Sequence, residues 1–202
     1  TPDWKDEEVD TTFTQKAIEF LKKHKNESTN EPFFLYFASS APHRPCDCSP
    51  EFVKGKSEAG HRGDMIVLFD WIVGQIDKTL DELGYKENTL FIVTSDNGAK
   101  NQNYNGKDYG HKPNGIYRGQ KADIWEGGHR IPLVTRWPGK IPKKVRCNNV
   151  VGLIDMYATF AAIIRASITD GYGEDSVNIL PSLLDPQNVK SDRKEIVHHS
   201  SR

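Results

Sequence analysis

The sequence lacks the features that mark several large protein classes. No apolar run approaches the ~20 residues needed to span a bilayer, and no excess of basic residues marks a nucleic-acid binder, since 27 Lys and Arg stand against 28 Asp and Glu. Only three cysteines occur (Cys46, Cys48 and Cys147), with no CxxC pair, which excludes a disulfide framework and the usual zinc sites. What remains is a globular composition in 202 residues, enough for one domain with a core.

Both ends of the sequence suggest a longer protein. The chain opens at Thr1 without an initiator Met or a signal peptide, and it stops just after Glu195–His199, which resembles the beginning of a strand. We therefore expect residues 1–202 to form part of one larger catalytic domain.

Hydrophobic periodicity predicts two helices and two strands in the first half. Apolar residues at three- and four-residue steps indicate a helix over 12–25, with Phe13 on its apolar face, and a longer one over 65–83. Asp64 is a candidate N-cap for the longer helix, and Gly84 is a candidate stop. The short apolar runs Phe33–Ala38 and Thr89–Thr94 are typical of strands buried on both faces.

This strand–helix–strand order predicts an α/β fold with a mostly parallel central sheet flanked by helices. Ligands in such folds bind where the parallel strands end, so His43 and Asp96 are expected to share one site. The long polar segment 98–128 is predicted to be functional rather than disordered, because it carries aromatic residues: Tyr104, Tyr109, Tyr117 and Trp125. A strand over 131–136 and a helix over 153–164 follow.

Two oxygen-bearing side chains follow the second strand. Asp96 and Asn97 suit a hard cation such as Ca²⁺, and Gly98 would let the backbone turn tightly around it. The same three residues also form ordinary turns. Two ligands cannot complete a calcium shell of about 6–8 oxygens, so a metal site here requires further donors from elsewhere.

The remaining candidates are basic residues in loops. His43, between Pro42 and Pro45, could accept or donate a proton near neutral pH. Lys121, Arg118 and His111 could contact an anion, although each could equally be a solvated surface residue. Glu126 and Arg130 are predicted to form a structural ion pair. The two glycines between them, Gly127 and Gly128, precede a predicted strand and predict close backbone packing.

Taken together and in order, these strings resemble the type I sulfatase family of the alkaline phosphatase superfamily. The resemblance rests on five segments: Pro32–Tyr36 with Pro42–Pro45, Asp70–Gly74, Asn88–Gly98, Arg118–Lys121, and Trp125–Pro132 with Trp137–Ile141. The Glu-Gly-Gly-His-Arg string at 126–130 and Gly173–Ser176 are similar to the arylsulfatase A and N-acetylgalactosamine-6-sulfatase branch.

The resemblance implies a role for each candidate residue. Asp96 and Asn97 would be two ligands of one Ca²⁺ ion. His43 and Lys121 would be catalytic and would contact the sulfate, with His43 helping to protonate the leaving alcohol. His111 and Arg118 would line the substrate pocket.

The family's nucleophile is expected outside this chain. It is a formylglycine hydrate made from Cys or Ser in a Cys/Ser-x-Pro-x-Arg motif. Cys48–Phe52 comes near this motif, but it ends in Phe. It also follows the loop that carries His43 (the histidine loop, Pro42–Pro45), whereas the family's motif lies long before that loop. Cys48 is therefore interpreted as unrelated to the nucleophile. The family's paired N-terminal aspartates also have no counterpart, and Arg62 stands where Tyr is expected.

The function implied is hydrolysis of sulfate esters by a longer parent protein, with this chain inactive alone. The substrate would be a sulfated small molecule or glycan, and the compartment periplasmic, secreted or lysosomal. Two alternatives stay open: a phosphatase or phosphodiesterase of the same superfamily, and a non-catalytic binding protein that kept the fold. Phosphatases of this superfamily use two metal ions with more His and Asp ligands, and no Asp-x-x-x-His cluster is present.

Overall fold

A computed structural model describes residues 4–27, 31–101 and 109–199. The chain divides into two compact units. Unit 1 comprises Thr1–Lys86 and Ala99–Gln120, and unit 2 comprises Glu87–Gly98 and Lys121–Arg202. Each unit is described by itself. No helix within the described ranges is both long and apolar enough to cross a membrane.

Unit 1 is built on two packed helices, α1 (Val9–Glu27) and α2 (Gly60–Glu82). The first confirms the predicted helix; it buries Ala17 and Leu21 of the apolar spacing, together with Asp10 and Thr14. Phe13, predicted on the apolar face, is 44% exposed. Asp10, one turn before Phe13, is buried instead, and hydrogen bonds satisfy its carboxylate.

Helix α2 confirms the long apolar helix and corrects its start. It buries Leu68, Ile72, Ile76 and Leu80 against the rest of unit 1. It begins at Gly60, so Asp64 is not its N-cap; the Asp64 carboxylate accepts from the backbone N–H groups of Gly55 (2.8 Å) and Ser57 (2.9 Å). Gly84 ends the helix as predicted, with a φ of +72° and the paired hydrogen bonds of a Schellman motif.

The predicted strand over 33–38 is not a strand among the described residues. Exposure alternates along it: Phe33, Leu35 and Phe37 are half-buried, whereas Phe34 and Tyr36 are 70% and 80% exposed. Phe33 packs edge-on against Tyr85, with ring centroids 5.3 Å apart. One face of the segment therefore contacts the helical layer, and the prediction that both faces are buried was wrong for this segment.

Unit 2 contains the two strands of the described chain, β1 (Phe91–Thr94) and β2 (Leu133–Arg136). They pair antiparallel, with Phe91 opposite Arg136 and Thr94 opposite Leu133. The predicted parallel partner of β1 was segment 33–38, so that pairing is absent from the described residues. Pro132 precedes β2 directly, in agreement with a strand start, and its carbonyl accepts from Thr94 Oγ1 at 2.9 Å.

The other regular elements of unit 2 are short helices joined by loops. They include α3 (Glu126–His129), α4 (Met156–Ile164) and α5 (Leu180–Leu184), with α4 preceded by a 3₁₀ turn over Leu153–Asp155 as the apolar periodicity predicted. Asp155 is fully buried and pairs with Arg193, with the guanidinium nitrogen 2.7 Å from the carboxylate. It also accepts from the N–H groups of Gly152 and Val177. This carboxylate ties the segment after α5 to the start of α4.

Candidate functional site

His43 lies on an exposed loop of unit 1 whose backbone is fixed by local hydrogen bonds. Its N–H donates to the carbonyl of Ser40 at 2.7 Å. Its Nδ1 lies 2.9 Å from the carbonyl oxygen of Arg44. A carbonyl only accepts, so Nδ1 carries the proton of this bond and Nε2 is the nitrogen left to meet a substrate.

The turn before His43 is held by a residue that the sequence analysis did not single out. Asp10, in the first turn of α1, is 3% exposed and receives hydrogen bonds from residues 39–41. In a sequence, an aspartate near a helix N-terminus looks like an ordinary solvated charge. In the sequence, the one indication of this contact is the pair of hydroxyl donors, Ser39 and Ser40, directly before the histidine loop.

Two cysteines close the same loop. Cys46 is buried, and burial raises the pKa of its thiol. The Cys48 thiol donates to the carbonyl of Pro45 at 2.9 Å, and burial raises the pKa of this thiol too. A reactive thiolate requires the opposite shift, so neither thiol is activated as a nucleophile in its own right. The interpretation of Cys48 as unrelated to the formylglycine nucleophile stays a prediction.

Asp96 and Asn97 form a bend directly after β1 in unit 2, with Asp96 exposed and Asn97 half-buried. The amide group of Asn97 donates from Nδ2 to the carbonyl of Gly98 at 3.0 Å. Ser95 Oγ donates to the Asn97 carbonyl at 3.0 Å. This bend therefore offers a carboxylate and an amide oxygen close together in sequence and held by short-range contacts.

A close backbone contact supports this bend from behind. The Gly98 N–H donates to the Gly128 carbonyl at 2.9 Å, and a Cβ on Gly98 would meet the Gly127 carbonyl oxygen at 1.9 Å. This confirms the close packing that the paired glycines predicted. The predicted ion pair is also present, with Arg130 Nη1 2.6 Å from Glu126 Oε2 and both side chains exposed.

In unit 1, the described parts of segment 99–120 (residues 99–101 and 109–120) are linked by Asn114, which the sequence did not single out. Asn114 exchanges hydrogen bonds with the backbone of Ala99, accepting at 3.0 Å and donating at 2.8 Å, and it donates to the Gly119 carbonyl at 3.2 Å. The predicted substrate contacts His111 and Arg118 lie exposed on either side of it. Tyr104 lies outside the described residues.

The Arg62 side chain occupies the place where the family resemblance led us to expect Tyr. It donates from Nη1 to the carbonyl of Lys100 at 2.5 Å, and it also lies beside the Cys46 thiol. Arg62 therefore links the first turn of α2 to Lys100.

Lys121 is the first residue of the second segment of unit 2. It is half-buried in a turn whose next residue, Ala122, has a φ of +77°. Among the described residues, no group of three or more His, Cys, Asp or Glu side chains converges in a way that could hold a metal ion.

The candidate residues fall into two sets. His43, His111 and Arg118 belong to unit 1, whereas Asp96, Asn97 and Lys121 belong to unit 2. Within unit 2, Asp96 and Asn97 are adjacent at the end of β1. The convergence of both sets on one cleft stays a prediction.

Comparison with known proteins identifies the family. The sulfatase family model matches residues 2–166. The chain belongs to the sulfatase family. It is 40% identical to the N-acetylgalactosamine-6-O-sulfatase of Bacteroides thetaiotaomicron, over 90% of this chain and 35% of that protein. It is 36% identical to the steryl-sulfatase of Rattus norvegicus, over 91% of this chain and 31% of that protein. The chain thus spans about a third of the length of these relatives.

Solved structures share the fold. A structure of a Bacteroides thetaiotaomicron protein from the metabolism of multiple glycosaminoglycans superposes with a TM-score of 0.84 at 37% identity, covering 93% of this chain and 39% of that one. The PsFucS1 sulfatase of Pseudoalteromonas sp. superposes at 0.82 and 29% identity, over 93% and 36%. The α/β, sulfatase-like fold class is therefore confirmed, and the chain holds only part of it.

One sequence match needs a correction. Ser40-Ala41-Pro42-His43-Arg44 fits the short pattern Ser-x-Pro-x-Arg of the nucleophile motif. It overlaps the histidine loop rather than lying long before it, and the Ser40 hydroxyl donates to Asp10 Oδ2 at 2.6 Å. We interpret Ser40 as part of the loop's anchor, so the expected nucleophile remains outside this chain.

Proposed function

We propose that the full-length protein hydrolyses sulfate esters and that this chain supplies part of its metal site and sulfate pocket. The 40% identity to an N-acetylgalactosamine-6-O-sulfatase over 90% of the chain carries the proposal. That relative also favours a sulfated glycan as substrate. By family resemblance, the protein works in the periplasm, the secreted space or the lysosome.

The proposed metal is one Ca²⁺ ion, to which Asp96 and Asn97 contribute. Carboxylate and amide oxygens are the donors that Ca²⁺ prefers, and the exposed bend after β1 presents one of each. Two donors fill a minor part of a calcium shell, so the other ligands belong to the rest of the protein. The bound ion would polarise the sulfate as a Lewis acid.

The chain's basic residues handle the sulfate and the leaving group. Lys121 offsets negative charge on the sulfate oxygens, and His111 and Arg118 help to bind the substrate. As the S–O bond of the ester breaks, its electron pair stays on the alcohol oxygen. The His43 ring, protonated on both nitrogens, gives that oxygen its Nε2 proton and keeps the Nδ1 proton on the Arg44 carbonyl. A formylglycine hydrate outside this chain supplies the oxygen nucleophile.

The test uses full-length protein matured in a formylglycine-competent host. We expect turnover of an N-acetylgalactosamine 6-sulfate saccharide, inhibition by a calcium chelator and no comparable turnover of the matching phosphate ester. His43→Ala and Lys121→Ala should each lower kcat by about 10²-fold or more, since general acids and charge-stabilising groups contribute on this scale.

Matched controls come from the same chain. His61→Ala removes another exposed histidine of unit 1, and Lys140→Ala removes a lysine that lies over the Trp137 ring. Both should keep close to wild-type kcat. Faster hydrolysis of the phosphate ester, or full activity of the His43 and Lys121 variants, would contradict the proposal.

The 202-residue chain alone is expected to have no sulfatase turnover. It offers candidates for the acid, a cationic contact and part of the metal shell, but the nucleophile is missing, and loss of a nucleophile lowers activity by orders of magnitude. An assay of the isolated chain on a chromogenic aryl sulfate with added Ca²⁺ tests this. Turnover comparable to the full-length protein would place the nucleophile within the chain.

A further inference from the structure

One buried carboxylate receives all of its described hydrogen bonds from the turn that leads into His43. Asp10 Oδ1 accepts from Ser39 Oγ and from the Ser40 N–H, both at 2.9 Å. Asp10 Oδ2 accepts from Ser40 Oγ at 2.6 Å and from the Ala41 N–H at 3.0 Å. Four donors from three consecutive residues thus meet one side chain that is 3% exposed.

This arrangement fixes the loop rather than the helix that carries the carboxylate. An ionised carboxylate has about four acceptor sites, and residues 39–41 fill that number. Burial of such a charge is costly unless hydrogen bonds compensate it, so a displaced loop would leave the carboxylate unsatisfied. The position of the turn relative to α1 is therefore strongly determined.

The constraint passes to His43 through two further hydrogen bonds. The Ser40 carbonyl, in the anchored turn, accepts from the His43 N–H at 2.7 Å. The Arg44 carbonyl then engages Nδ1 and leaves Nε2 for the substrate. Asp10 thus acts on the ring only through the backbone between them.

We propose that Asp10 is a positioning residue for His43, holding the loop so that Nε2 meets the leaving oxygen of the sulfate ester. This inference rests on the proposed role of His43 as proton donor. A misplacement of about 1 Å can lower the rate of a positioned group by about 10²-fold, which sets the size of the expected effect.

Asp10→Asn is the sharpest test, because it keeps the side-chain volume. Each carboxylate oxygen of Asp10 accepts from one serine hydroxyl and one backbone N–H. A hydroxyl can turn to accept from an amide, but a backbone N–H cannot, so whichever way the amide is oriented, its NH₂ group opposes one backbone N–H. The matched control is Asp64→Asn, also in unit 1 and also 3% exposed. Its carboxylate accepts from the backbone N–H groups of Gly55 and Ser57 rather than from the turn before His43.

The readout separates positioning from stability through two substrates of the full-length protein. A sugar sulfate has a poor leaving group that needs a proton, whereas 4-nitrophenyl sulfate releases a stable phenolate without one. We expect Asp10→Asn to lower kcat for the sugar sulfate by about 10²-fold, with KM nearly unchanged and much less effect on 4-nitrophenyl sulfate. Asp64→Asn should show no such selectivity.

Ser40→Ala provides a milder variant in case Asp10→Asn fails to fold. It removes one of the four donors, so a smaller loss with the same leaving-group selectivity supports the inference. Equal losses on both substrates, selectivity in Asp64→Asn, or abolished turnover of both substrates in Ser40→Ala would overturn it.

His43→Ala distinguishes failure of the inference from failure of the proposed function. If His43→Ala shows the leaving-group selectivity and Asp10→Asn does not, Asp10 is not a positioning residue and the role of His43 stands. If His43→Ala also lacks the selectivity, the proposed proton transfer fails, and the inference fails with it.

Discussion

The histidine loop and the Asp96–Asn97 bend are held in different ways. The first is anchored by a side chain, since the Asp10 carboxylate on α1 collects four donors from residues 39–41. The second is anchored by backbone, since Gly98 packs directly on the carbonyl groups of Gly127 and Gly128. The first should respond to a change of hydrogen-bonding capacity at constant volume, and the second to an added methyl group.

Gly98→Ala should have the largest effect on stability. Its Cβ would lie 1.9 Å from the Gly127 carbonyl oxygen, and backbone cannot yield as a flexible side chain does. We expect a loss of about 3 kcal/mol in the free energy of unfolding, at the upper end of typical overpacking costs. Denaturant unfolding of the full-length protein measures it, and calcium titration of the folded variant should show weaker binding.

The control for this prediction is Gly74→Ala in the interior of α2. A Cβ there meets nothing within 4 Å, so the change should stabilise the protein by about 0.5–1 kcal/mol through lower backbone entropy of the unfolded chain. A Gly98→Ala variant as stable as this control would show that the bend is not held by backbone contact.

Asn114→Ala should have an intermediate effect. The variant loses the two-way pairing with the Ala99 backbone and the bond to Gly119, and it leaves buried or half-buried backbone groups without these partners. The expected cost is about 1–3 kcal/mol in unfolding free energy. Asn188→Ala, which removes an exposed amide bonded to Asp185, should cost much less. Equal costs would show that Asn114 does not organise its segment.

The sequence predicted the elements well where hydrophobic periodicity and capping agree. The apolar spacing along α2 and the glycine at position 84 predicted that helix and its end, and the paired glycines at 127 and 128 predicted close packing. These signals are local, so they survive without knowledge of the neighbours. The family resemblance supplied the candidate site in the same way, from short strings in order.

The sequence could not predict features that depend on distant partners. An apolar run such as 33–38 does not reveal whether a neighbouring strand lies beside it, and here Phe34 and Tyr36 are exposed. Asp10, Asp64 and Asp155 look like surface charges or caps until their donors are known, because burial of a carboxylate is set by tertiary contacts. The turn that precedes His43 depends on one of them.

Acid should weaken the support behind the Asp96–Asn97 bend slightly. His198 stacks on His129 of α3 with ring centroids 3.9 Å apart, and burial followed by the neighbouring His129 lowers the pKa of His198. The unfolded chain therefore binds this proton more tightly, so the stability contribution is present above a pH of about 6.5 and is lost as pH falls below it.

His198→Phe keeps a stacked ring and removes the titration. We expect Tm to fall less between about pH 7.5 and about pH 5.5 in this variant than in the wild type. This difference in Tm should be smaller than the loss of Tm that Asn114→Ala causes at one pH. His199→Phe changes the neighbouring histidine, which is exposed like His198 but for which no stacking on His129 is seen in the described part of the chain, and should keep the wild-type acid dependence. An unchanged acid dependence in His198→Phe would show that the His129–His198 pair does not contribute to the loss of stability in acid.

Cys48→Ala should have the smallest effect, and it tests whether the nucleophile lies outside this chain. The variant loses the thiol that donates to the Pro45 carbonyl, and it leaves at this position neither Cys nor Ser, the two residues from which formylglycine is made. Because burial raises the pKa of this thiol, little thiolate is present at neutral pH. We therefore expect slower alkylation of Cys48 than of the exposed Cys147 in the full-length protein. Turnover of a sulfate ester by Cys48→Ala should stay at the wild-type level, because the nucleophile is expected outside this chain. Peptide mass mapping should find Cys48 as an intact thiol, since its conversion to formylglycine would replace the CH₂SH group by an aldehyde. Loss of turnover in Cys48→Ala, together with an aldehyde at position 48 of the wild-type protein, would place the nucleophile within this chain, directly after the histidine loop.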